Sequence, residues 1–511
     1  MSDPIPITSF RNFPVRHEFI ELLLKLQNGE ELKEYLMQVI PREEILSRPS
    51  PPSELDLNVL IIGIDSISNG HAQRKLPKSY NYIRDVLKGY IFMGHSVVGD
   101  GTTEQLAAFL TGKGEQEYKE SRRGKPKAKP VDDWNWIFKK AKAHGYVTSY
   151  CEDMPKVGTF QYRLLGFQDP PTDFYPRPFL LAAHSATYSR RNPHCYGSEK
   201  IYNYNLDITR KFYEQYPERK KFLFHFPADL SHDDFNSVQL MDNDLLQLLT
   251  EFNRKGYLNN TLLIVLGDHG ARFGDFRQTL QGKLEERLPF FSMTFPRWFK
   301  RKYPKVARDL KTNTQRLTSW FDVYATFNHL FEYPKKPESP KHAISLLTEI
   351  PLERSCKDAN IPEHWCPCVH WSAVESQHDH LQKAALSAID HINELNFKEH
   401  LGAKKCSRLS LYRLNRAEVE MPAAHVLRFR RSGRDGYEPQ FSSSSIRAKD
   451  RCSYQISFVT LPSYGVFEAS VHYVYGRFLV KGSISRINKY GDQPKCIEHL
   501  LPHLRKYCYC T

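Results

Sequence analysis

Apolar residues along this chain fall into two rhythms. Asn58–Ile64, Lys221–Phe226 and Thr261–Leu266 are nearly unbroken apolar runs, the pattern of strands buried on both faces. Further strand-like runs at 146–150 and 179–183 alternate with helically spaced stretches at 103–111, 134–143, 237–254 and 317–331. This alternation predicts an α/β fold with a mostly parallel central sheet packed between helices. After about residue 400 the rhythm changes. Tyr454–Thr460, Val466–Tyr475 and Arg477–Ile484 are rich in β-branched and aromatic residues and are separated by Pro, Ser and Gly, predicting a small antiparallel unit. Ahead of the first core strand, His17–Val39 places Phe19, Leu22, Leu23, Leu26, Leu32 and Leu36 at mostly helical spacing around Asn28-Gly29, which predicts a helical hairpin. A Pro-Ser-rich linker at 49–53 follows. The chain therefore divides into an extension over 1–56, an α/β core over 57–398 and a Cys-rich β region over 399–511.

The three apolar runs end in metal-ligand chemistry. The first meets Asp65, the second Asp229 and His232, and the third Asp268-His269-Gly270. Ligands of an open α/β sheet gather at the carboxyl edges of its strands, so the recurrence implies one site and points to a metal-dependent hydrolase. A flexible Gly99-Asp100-Gly101 approach leads into the apolar helix that begins Thr102-Thr103-Glu104-Gln105. A threonine there meets the free N–H groups of a first helical turn, which favour an anion. The same threonines also suit an ordinary N-cap.

Composition adds compartment more than chemistry. The 511 residues carry a formal charge of +14, but the basic residues are spread widely, which fits a solvated surface better than a nucleic-acid footprint. The densest basic run, Lys119 to Lys129, reads as an exposed loop. Of ten cysteines, eight lie between Cys356 and Cys510, a density that favours disulfides and an oxidising compartment over zinc binding. The C-x-C pairs Cys366/Cys368 and Cys508/Cys510, with His364 and His370 nearby, keep zinc as the rival reading. The start MSDPIPITSFRNF lacks the form of a secretory signal, and no segment offers the apolar length of a membrane span. A secreted or lumenal location then implies a truncated start; the sequon Asn259-Asn260-Thr261 is compatible with that.

Asp65 after its strand, the segment TTEQLAAFLTG from Thr102, Gly267-Asp268-His269-Gly270 and Trp320–Thr326, in this order, resemble the alkaline phosphatase superfamily in its sulfatase and nucleotide phosphodiesterase branches. The stretches 141–148, 230–236, 284–290 and the ending Lys506-Tyr507-Cys508-Tyr509-Cys510 are similar to a sulfatase-like animal family described as domain of unknown function 229. The resemblance covers roughly residues 57–511 and implies an alkaline-phosphatase-like three-layer sandwich. It places the nucleophile on Thr102, with Thr103 as the fallback, and the metal ligands on Asp65, Asp268, His269 and His232. Phosphodiesterases carry a further carboxylate where this chain has Ala228, with Asp229 one position later. His342 stands where relatives have a short Asp-Gly before Ser-Leu-Leu and is the remaining ligand candidate.

These residue types suit one mechanism. A threonine hydroxyl is a weak nucleophile near neutral pH and needs a cation to stabilise its alkoxide. Zinc suits a mixed Asp/His set, as one ion or as two about 4 Å apart, with manganese or calcium as alternatives. His232 or a second ion would assist the leaving group, Gln105 would donate to a non-bridging oxygen, and Arg272 and Lys283 are candidate anion clamps. Formylglycine sulfatases resemble one another in a Cys-x-Pro-x-Arg motif, whereas this chain has Thr102-Thr103-Glu104-Gln105-Leu106. The expected substrate is therefore a phosphate ester of a small molecule, lipid head group or glycan rather than a sulfate ester. The alternative is a catalytically inactive sulfatase-like scaffold kept for extracellular interactions.

Overall fold

A computed structural model describes residues 15–188, 192–368, 370–374, 379–421, 428–433, 438–442, 451–474 and 476–511. Its centre is a six-stranded sheet in the order Tyr90–Ile91, Phe291–Thr294, Thr261–Leu266, Asn58–Gly63, Lys221–Phe226, Val147–Glu152. The last four run parallel; at one edge Phe291–Thr294 runs antiparallel to them, and Tyr90–Ile91 pairs antiparallel with it. Every residue of Lys221–Phe226 and Thr261–Leu266 is buried. Val59, Ile61, Phe222, Phe224, Leu262 and Ile264 face one apolar cluster, while Leu60, Ile62, Leu223, Leu263 and Val265 face another. Helices Thr102–Thr111, Ile137–Ala143 and Trp320–Glu332 cover the first face, and Asn203–Gln215 and Asp242–Arg254 the second. The architecture is an α/β three-layer sandwich, a mostly parallel central sheet packed between helices on both faces.

Two local expectations are corrected. The stretch expected as a helical hairpin is a β-hairpin, Phe19–Lys25 against Glu31–Met37. Asn28-Gly29 supplies the turn, with Gly29 at φ +86°, and Tyr35 and Met37 alternate inward along the second strand; the turn chemistry outweighs the leucine spacing. Residues 179–183 lie in the helix Arg177–Thr187 rather than in a strand. A run this short has no periodicity to separate buried helix from buried strand.

The C-terminal region is a five-stranded antiparallel sheet, His370–Ala373, Ser410–Met421, Arg451–Leu461, Val466–Val474 and Arg477–Arg486 in that order. Tyr475, in an expected strand, lies outside the described residues. The helix Asp379–Lys398, which the sequence division leaves in the core, packs Ala384, Ala388, Ile389 and Ile392 against this sheet. Disulfides join Cys356–Cys366, Cys406–Cys508 and Cys496–Cys510. The sheet is locked to the core by buried charge. Glu468 accepts from Arg277 (3.1 Å), Arg287 (3.0 Å) and Arg416 (3.0 Å), and Arg277 also donates to Glu286 (2.7 Å). Among the described residues no helix is long and apolar enough to cross a membrane.

Candidate active site

The sheet register builds the site. Leu266 pairs with Gly63, so the two strands release their chains side by side, and Asp268 and Asp65 follow two residues later on each. Ser66, at φ +61°, turns the first chain so that its N–H donates to Asp268 Oδ1 (2.9 Å), while its hydroxyl donates to Asp65 Oδ1 (2.8 Å). The His269 N–H donates to the same Asp268 oxygen at 2.9 Å. Gly270 completes the turn because a Cβ there would lie 2.2 Å from the Glu285 carbonyl oxygen.

Asp65, Asp268 and His269 are all buried, and one ligand atom from each lies within 4.8 Å of the others. His269 Nδ1 is 2.8 Å from the Gly270 carbonyl oxygen. A carbonyl only accepts, so Nδ1 donates to it, and Nε2 is the ring nitrogen that faces inward. That nitrogen lies 3.2 Å from Asp268 Oδ2, 3.8 Å from Asp65 Oδ1 and 3.3 Å from Thr102 Oγ1. Asp268 Oδ2 is buried and has no hydrogen-bond partner among the described residues. Burial, with the Asp65 charge adding to it against His269, pushes the Asp268 carboxyl up to about 6. Electron-rich atoms converging in a dry place call for a cation, and a set of two carboxylates and one imidazole fits zinc or manganese.

Thr102 opens the helix Thr102–Thr111, and Gly101 before it adopts φ +75°. Its hydroxyl is the one that faces His269; Thr103 instead donates to the Thr159 carbonyl at 3.2 Å. Gln105 is fully buried and engaged with the loop. Its Oε1 accepts from Val98 N (2.8 Å), and its Nε2 donates to the carbonyls of Gly99 (2.7 Å) and Gly101 (3.3 Å). Rather than facing a substrate oxygen, Gln105 braces the loop that presents Thr102.

His232 lines the same cleft as Asp65 and Thr102. Burial lowers its pKa, but Asp233, whose Oδ1 lies 3.5 Å from Nδ1, and Asp65 outweigh this and raise it. Asp229 turns to His194, 2.8 Å away, and His342 packs edge-on to Phe321 with ring centres 4.8 Å apart; neither joins the Asp65 set. Asp322 holds His342's segment by accepting from Arg354 and the Ile344 N–H. Of the two expected clamps, Arg272 lines the cleft and donates to Asp100 at 3.2 Å, whereas Lys283 pairs with Glu418 at the junction with the C-terminal sheet.

The cleft holds about 410 Å³, and part of its wall comes from the chain's end: Lys489, Tyr490, His503, Arg505 and Lys506. Lys506 pairs with Asp100, just before Thr102. Sequence reasoning missed this wall, since nothing local joins residue 506 to residue 100. It also missed Asp153, which follows the strand Val147–Glu152 as Asp65 follows its own. Asp153 is fully buried and accepts from Ala228 N at 2.8 Å, and its Oδ2 has no hydrogen-bond partner among the described residues. Burial, then the Asp229 charge, raises its carboxyl well above the usual range. The strand-end rule that picked Asp65 would have found it.

The family described as protein of unknown function (DUF229) matches residues 17–415. The chain belongs to that family. No curated protein sequence matches it. Among solved structures it is similar to the C-terminal periplasmic domain of EcEptC from Escherichia coli in complex with zinc, at 13% identity, 60% of this chain, 92% of that one and a TM-score of 0.38. It is also similar to the phosphonate monoester hydrolase SpPMH from Silicibacter pomeroyi, at 11% identity, 63% and 80% coverage and a TM-score of 0.39. A third is the lipoteichoic acid synthase LtaP from Listeria monocytogenes, at 12% identity, 65% and 87% coverage and a TM-score of 0.35.

Proposed function

We propose that this member of the DUF229 family is a metal-dependent hydrolase or transferase of phosphate esters with Thr102 as nucleophile. The observation that carries the reading is the Thr102 hydroxyl 3.3 Å from His269 Nε2, on the edge of the buried Asp65, Asp268 and His269 set. A divalent cation on that set would stabilise the alkoxide that a threonine must form to attack. Thr102 Oγ, its proton lost to solvent, then forms a bond to phosphorus as the ester oxygen leaves, and water or an acceptor alcohol later takes the phosphoryl group from Thr102 and returns a proton to Oγ. His232, whose raised pKa favours its protonated form, gives the departing oxygen its proton. Arg272 and Lys506, held in place by Asp100, offset the charge of the bound ester. Gln105 keeps Thr102 in register by holding the preceding loop.

The disulfides fit an extracellular or lumenal setting. The decisive experiment is turnover of a bis-aryl phosphodiester. Wild type and Thr102→Ser should turn over, while Thr102→Ala and Asp268→Ala should fall by at least about 10³-fold. Metal binding without turnover on any phosphate or sulfate ester would instead favour the inactive scaffold.

A further inference from the structure

One cation of the cleft is held in a way that the chemistry at Thr102 does not call for. The guanidinium of Arg505 sits 4.3 Å from the ring centre of Tyr162 and 5.7 Å from that of Tyr490, and all three residues line the cleft. The side chain is only 14% exposed, and its one ion pair among the described residues, to Glu498 Oε1 at 3.3 Å, engages Nη2. Glu498 Oε1 is shared with the Tyr162 hydroxyl, which donates to it at 3.1 Å. Arg505 Nε is buried and donates to no atom of the described residues.

The other cations of the cleft are accounted for. Lys506 and Arg272 converge on Asp100, Lys489 lies 3.2 Å from Asp233, and Arg163 lies 3.0 Å from Glu115. Arg505 lies against two rings, and its Nε has no partner among the described residues, so its planar guanidinium is held in the preorganised form of an oxyanion receptor. Its chain neighbour Lys506 pairs with Asp100 of the loop before Thr102, and Arg505 lines the same cleft. The disulfide Cys406–Cys508 anchors the segment just beyond.

We propose that Arg505, framed by Tyr162 and Tyr490, is a second oxyanion subsite, and that the substrate carries a further phosphate, sulfate or carboxylate group beyond the ester that reacts at Thr102. This rests on the reading of the cleft as a phosphate-ester site.

The test is calorimetric binding to the full chain carrying Thr102→Ala, comparing methylphosphonate with α,ω-alkylbisphosphonates of one to about six methylenes. At least one bisphosphonate should bind about ten-fold tighter than methylphosphonate, the gain of one charge-assisted contact. Arg505→Ala and Tyr490→Leu should each bring that ratio to within about two-fold of one, and Arg505→Lys, which keeps charge without the fork, should lose most of it. Arg84→Ala, on the exposed surface, should keep it. A ratio near one for every bisphosphonate, with methylphosphonate bound, overturns the subsite alone. So does an Arg505→Ala chain that weakens both ligands equally. Binding of neither ligand overturns the phosphate-ester reading as well. Replacing the second phosphonate with a sulfonate or carboxylate then shows which oxyanion Arg505 prefers.

Discussion

Replacing Gln105 with leucine separates two roles for that side chain. Leucine fills nearly the same volume, so the change removes hydrogen bonds without opening a large cavity. Val98 N–H and the Gly99 carbonyl then lose partners at 2.8 and 2.7 Å around a side chain that is fully buried. Each polar group left unpaired costs about 1–3 kcal/mol, and the apolar replacement returns part of it, so the expected loss is about 2–4 kcal/mol. The loop 98–101 ends at Thr102, and misplacing a nucleophile by about 1 Å costs on the order of 10²-fold in rate. Urea unfolding should show a lower midpoint at unchanged slope, and kcat measured on folded protein should fall together with it. If turnover collapsed while the midpoint stayed within about 0.5 kcal/mol of wild type, Gln105 would be contacting substrate, and the bracing argument would be wrong.

Glu468→Gln removes the charge that Arg277, Arg287 and Arg416 share, and should destabilise the chain by about 3–5 kcal/mol in the same unfolding assay. Burial pushes the Asp100 carboxyl up, but Lys506 and Arg272 outweigh it and hold it well below the usual range. A depressed carboxyl contributes stability that is complete above about pH 4 and is lost as pH falls towards its folded value. Melting temperatures should therefore drop more steeply below about pH 4 in wild type than in Asp100→Asn. Cys406→Ser opens a bridge spanning 102 residues and should cost about 2–4 kcal/mol. Peptide mapping should recover the Cys406–Cys508 and Cys496–Cys510 pairs, and free thiols at these positions would remove the argument for an oxidising compartment.

Fully buried parallel strands are the most legible feature of this sequence. Lys221–Phe226 and Thr261–Leu266 were readable to the residue because both faces are covered, so no polar alternation blurs their ends. Their register then brings together Asp65, Asp268 and His269, which are distant in the chain but each marked by the strand it terminates. Thr102 was readable as a helix start, whereas its facing His269 rather than Thr159 depends on tertiary packing. What was illegible depends on long-range packing. The wall formed by Tyr490, Arg505 and Lys506 exists because the C-terminal sheet docks through Glu468. The leucine-rich hairpin was misread because a helical count of apolar positions was given more weight than Asn28-Gly29. Gln105 and Lys283 were misassigned for a shared reason. A polar side chain in an apolar context signals a partner, and the sequence does not say whether that partner is substrate or protein.

Metal content of the purified chain tests the central claim most directly. Inductively coupled plasma mass spectrometry should find about one equivalent or more of zinc or manganese per wild-type chain, and about one fewer in Asp268→Ala. Wild type without stoichiometric metal, or equal content in both proteins, would contradict a cation held by Asp65, Asp268 and His269.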